Sequence, residues 1–133
     1  MEYKNFMKLL AVILVSILFL FSGLTKIFNF NETTLGFHQK VNSGIFSNIL
    51  TYNASQGLII IAILILLIAP ILMIIGISQQ NNLLLKIGSW LLIAFLILAT
   101  LIYHPITDGS QRNDMLKNLA ILGGLIMISV QAN

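Results

Sequence analysis

The chain contains no cysteine, only two prolines and very little charge. Without cysteine there can be no disulfide, no thiol nucleophile, no thioether-attached haem and no thiolate metal site. Charged residues make up 8% of the 133 residues, against about 25% in ordinary soluble domains. So little charge cannot clothe a globule in water. The composition therefore points to one integral membrane domain over 1–133, with no room for a second, soluble one. The net charge of +3 is scattered. There is no basic stripe and no interleaving of aromatic and basic residues, which excludes a nucleic-acid partner. Alternating ten-residue strands are also missing, which argues against a membrane barrel and leaves helices.

What is present is hydrophobic sequence, 58% of the chain. A helix needs about 20 apolar residues to cross the hydrocarbon core. Four segments qualify, at about 7–28, 57–77, 84–103 and 113–130. The expectation is an all-α, transmembrane four-helix bundle with the lipid bilayer as its surroundings. Lys4 and Lys8 precede an apolar run, as in a secretory signal, but no A-x-A-like site follows and the run is long for one. Pro70 inside the second segment predicts a kink rather than a break.

The fourth span is informative because its apolar stretch is short. Leu119 to Val130 covers about 18 Å as a helix. To cross, the helix must start earlier and carry Asp114, Lys117 and Asn118 into the membrane edge. Asp114 and Lys117 are spaced to pair on one face. Ala120 and Gly124 form a small-xxx-small spacing beside Gly123, which permits close helix approach. Lys117 shares that stripe, so it is expected on the packed side. Gly23, next to Ser22, predicts a second close approach on the first span.

Four spans alternate in direction, so the ends fall into two groups. One end receives Lys26, Glu32, His38, Lys40, His104, Asp108, Arg112, Asp114 and Lys117, nine of the thirteen acidic, basic and histidine side chains. The other receives Glu2, Lys4, Lys8 and Lys86, with the plain QQNN turn. The linker between the first two spans belongs to the crowded end, and part of it is expected to lie on the membrane as an amphipathic helix. Counting Lys and Arg near span ends is close to balanced. With Lys26 and Lys117 inside the bundle, the count favours both termini being cytoplasmic, in a bacterial-type cytoplasmic membrane.

An ionisable residue inside a span is a functional candidate by default. Lys26 qualifies, although a lysine near a span end also reaches the headgroups by snorkelling. Asp108 and Asp114 are its candidate counter-charges. His104, before Pro105, has the chemistry of a proton relay. His104 with Asp108 supplies too few ligands for a metal, so none is expected. Gln56 opens the second span near Asn53 and Ser55, either of which is the expected cap of that helix. The predicted polar pocket thus comprises Lys26, Gln56, His104, Asp108, Asp114, Lys117 and Asn118. Its helix-packing partners are Gly23, Ala120, Gly123 and Gly124.

The elements SGLTKI in the first span and D-x(5)-DMLKNLAILGGL from Asp108 onward resemble the DoxX family of small four-helix membrane proteins. The resemblance implies the same bundle and a link to redox chemistry, since some relatives are subunits of thiosulfate:quinone oxidoreductase. Carried over by position, the candidate residues are Gly23, Lys26, Asp108, Lys117 and Asn118. One departure is that the family often has an acidic residue where this chain has Gln56.

Three functions follow as expectations. The first is a redox-associated membrane subunit that interacts with a quinone, and is an enzyme only as part of an oxidoreductase complex. Any haem or iron–sulfur centre would then belong to a protein partner at the polar side, because this chain has no ligand set for one. The second is a scaffold or assembly partner. The third is a small transporter, for which the first span lacks the deep carboxylate that small multidrug exporters use.

Overall fold

The computed structural model describes residues 3–43, 50–103 and 112–132. These form helices α1 (Tyr3–Phe28), α2 (Phe30–Ser43), α3 (Tyr52–Ser78), α4 (Asn82–Tyr103) and α5 (Arg112–Gln131). There is no strand among the described residues. α1, α3, α4 and most of α5 are long and apolar enough to cross a membrane. The protein is an all-α bundle and an integral membrane protein. α5 starts before Asp114, Lys117 and Asn118, as the short apolar stretch requires.

α3 is the central helix, packing on α1 along one flank and on α4 along the other. That position explains why its sequence is apolar on nearly every side. Lipid tails are as apolar as leucine, so association rests on closeness of fit. α1 turns Val12, Ser16, Phe19 and Gly23 inward at spacings of one turn. A Cβ at Gly23 would lie 2.9 Å from Leu67 Cδ2 and 3.2 Å from Leu66 Cβ. At Gly88 on α4 it would lie 2.7 Å from the Ala69 carbonyl oxygen. Both helices approach α3 closely because these side chains are missing. α3 runs unbroken through Pro70, which is buried in the interior.

The fourth span packs differently from the expectation. α5 leans on α4 and only grazes α1, with Leu125 and Ser129 buried. Ala120 and Gly123 are exposed, and a Cβ at Gly123 or Gly124 would meet nothing within 4 Å. Of the glycines expected at close approaches, Gly23 meets a neighbouring helix, while Gly123 and Gly124 do not. The inward stripe of α5 is Asn118, Leu122, Leu125 and Ser129, turned about 100° from the small-residue stripe, one residue's rotation.

The QQNN segment makes a tight reversal between α3 and α4. Asn81 N–H donates to the Gly76 carbonyl (2.8 Å) and Gln80 N–H to that of Ile77 (3.4 Å). Gln80 sits between them at φ 55°, the left-handed position of a Schellman motif. Asn81 Oδ1 then caps α4, accepting from the N–H groups of Leu83 and Leu84.

α2 forms in the linker, but its apolar face is spent on the bundle rather than on lipid. Thr34, Phe37 and Val41 are buried, the last two against Ile59 and Ile63 of α3. The cap of α3 is Thr51, whose hydroxyl accepts from Ala54 N–H at 3.2 Å, and not Asn53 or Ser55. Ser55 instead donates to the Thr51 carbonyl and meets His38 Nδ1 at 3.0 Å. Asn42 bridges to Leu50, donating to its carbonyl and accepting from its N–H. These bonds pin the end of α2 to the start of α3.

Candidate functional site at the polar end

At the crowded end, α1, α2, α4 and α5 enclose a cleft of about 490 Å³. Ligand sites for small organic molecules run to about 300–1,000 Å³ and are mostly apolar with a few placed polar groups. The cleft has that composition. Phe19, Phe37, Phe95 and Tyr103 supply aromatic wall, while Lys26, Glu32 and Asn118 supply polar groups. The rings of Phe37 and Tyr103 lie 6.3 Å apart, tilted by 37°.

Lys26 is half-buried, and its Nζ donates to Ser22 Oγ one turn back at 3.0 Å. Both line the cleft. The SGLTK element therefore divides its work between adjacent helix faces. Gly23 packs on α3, and Ser22 with Lys26 faces the cleft. An ammonium has three protons to donate, so this bond leaves donors for a ligand. Among the described residues no ion pair joins Lys26 to Glu32.

Asn118 reaches the cleft from α5. Its Nδ2 donates to Thr100 Oγ1 at 3.1 Å, and Thr100 in turn donates to the Leu96 carbonyl at 2.7 Å. An amide at this depth ties α5 to α4 and leaves its oxygen for another donor.

Of the expected pocket, Lys26 and Asn118 meet at the cleft. Asp114 and Lys117 do not line it. They form an exposed pair at 4.0 Å, which corrects the expectation that Lys117 faces the packed side. The cause is again the rotation of α5, which turns Asn118 inward and leaves Lys117 out. Gln56 is half-buried on α3, away from the cleft lining. His104 and Asp108 lie outside the described residues. Glu32, Thr33 and Phe37 line the cleft without having been singled out, because only the folding of α2 against the bundle brings them there. Among the described residues, no three His, Asp or Glu side chains gather as a metal site would need.

The DoxX family model matches residues 7–105, which cover most of α1 and all of α2 to α4. α5, with its KNLAILGGL element, falls outside that range. No curated protein and no solved structure matches the chain.

Proposed function

The chain belongs to the DoxX family, and from that premise we propose that it is a redox-associated membrane subunit that binds a quinone in the polar-end cleft. The observation that carries this reading is the combination in one cleft of aromatic walls with a lysine donor and an amide. A quinone is a flat ring with carbonyl oxygens at its edge and an apolar tail, and when bound it supplies two-electron, two-proton chemistry. The Phe37 and Tyr103 rings, packed against each other, would form one aromatic wall for it. Lys26 Nζ, already oriented by Ser22, donates to one oxygen and balances negative charge that builds there. Asn118 shapes the wall opposite, and Glu32 offers a carboxylate for proton exchange at the mouth. Electrons come from a protein partner docked at the polar side.

The orientation consistent with this reading has both termini in the cytoplasm of a bacterial-type membrane, with the cleft opening at the outer face. The test is mild purification, lipid extraction and mass spectrometry, followed by titration with a soluble short-chain quinone. Co-purifying quinone near one per chain, or saturable binding that weakens in Lys26→Gln, supports the proposal. Absence of both overturns it.

A further inference from the structure

At the opposite end, the seam that α1 and α5 leave open widens into a groove of about 800 Å³. It runs along α1 from Tyr3 to Val15, along α5 from Gly124 to Gln131, and is bounded by the start of α4. Lys4, Lys8, Ala11 and Val15 recur at helical spacing, so they form one stripe facing it. From Lys4 to Val15 is about 17 Å along the axis, close to half of the ~30 Å hydrocarbon core. The groove is therefore about one leaflet deep.

Its chemistry changes with depth. Lys4, Lys8, Asn82 and Gln131 stand at the mouth, and Ala11, Val15 and Ile128 line the interior. No acidic side chain lines it among the described residues, and neither lysine is ion-paired there. Gly124 keeps the deep end wide, since a Cβ there would meet nothing within 4 Å.

We infer that this groove is a binding site for an anionic phospholipid, with one acyl chain along the α1–α5 seam and the phosphate between Lys4 and Lys8. Charge complementarity selects this occupant. A zwitterionic lipid would bring its own cation towards the two lysines. A second copy of the chain, related by a two-fold axis along the groove, would set the same lysines against each other. The site is separate from the polar-end cleft and does not depend on what binds there.

The test is native mass spectrometry of the delipidated full chain, titrated with dioleoylphosphatidylglycerol or dioleoylphosphatidylcholine. The expected result is a first adduct that favours phosphatidylglycerol by about thirtyfold, in line with the attraction of two lysines to an anionic surface. Replacing both Lys4→Gln and Lys8→Gln should bring the two lipids to near parity, while Lys86→Gln, at the same end but outside the groove, keeps the preference. Gly124→Leu fills the groove at a position with space for it, and should weaken the first adduct of both lipids severalfold. Equal binding of the two lipids by the unsubstituted chain overturns the inference. So does a preference that survives the double lysine substitution, a first adduct that Gly124→Leu leaves unchanged for both lipids, or a lipid-free dimer that buries the groove.

Discussion

Asn118 of α5 donates a 3.1 Å hydrogen bond to Thr100 of α4. This bond crosses between helices beside the polar-end cleft. Bonds of this kind in membrane bundles contribute about 0.6 kcal/mol, and up to roughly 1.7. Asn118→Leu and Thr100→Val should each lower stability by about that much. The double substitution should cost little more than either alone, because both remove the same bond. Unfolding in mixed detergent micelles measures this, and full additivity would mean that the two side chains do not interact.

Gly23 and Gly123 should respond in opposite ways. Gly23→Leu drives a side chain into Leu66 and Leu67 and should cost about 1–3 kcal/mol, the usual penalty of overpacking. Gly123→Ala enters open space and removes a helix-interior glycine, so it should stabilise by about 0.5–1 kcal/mol. Thermal unfolding of the two variants side by side checks the contrast.

Gln80 holds a left-handed conformation at φ 55°. A side chain there costs about 1–2 kcal/mol relative to glycine. Gln80→Gly should raise stability by about 1 kcal/mol, and an unchanged or lower unfolding midpoint would contradict the turn geometry.

His38 joins α2 to the buried Ser55 at 3.0 Å and meets the Tyr52 ring edge-on at 5.7 Å. His38→Ala should loosen α2 while the four spans stay packed. Hydrogen exchange within residues 30–43 should speed up by about tenfold, the equivalent of roughly 1.4 kcal/mol. Exchange within α3 and α4 should hardly change.

Lys26→Gln removes the cleft's cation and keeps a donor of similar length. Hydrogen bonds to charged groups contribute about 1.5–3 kcal/mol, so quinone affinity should fall by about tenfold or more at unchanged thermal stability. Isothermal titration with the soluble quinone reads this directly.

The membrane class and the helical architecture were legible in the sequence because hydropathy and length are local properties. Backbone polar groups in lipid must be satisfied within the segment, so an apolar run of sufficient length has to be a helix. The need for α5 to start before Asp114 followed from its length alone. Lys26 and Gly23 were also legible, one as a charge in an apolar run and the other as a small residue beside it.

The rotation of each helix was not legible, because it depends on what the neighbour presents. Lys117, Ala120 and Gly124 share a stripe, but nothing in that spacing says which way the stripe faces. In the packed α5, Asn118 meets α4, Leu125 and Ser129 are buried, and Lys117 is left exposed. The same contact held α5 away from α1 and opened the seam that both grooves use. α2 illustrates the remaining part. Its sequence announces an amphipathic helix, but an apolar face can bury itself in lipid or on protein at comparable cost. The fit of Phe37 and Val41 onto Ile59 and Ile63 decided for protein, and it placed Glu32 and Phe37 at the cleft. The sequence by itself determined which segments cross the membrane and at which end the charge collects. Only tertiary packing decided which of those charges share a site, because side-chain direction is settled by helix rotation and not by order along the chain.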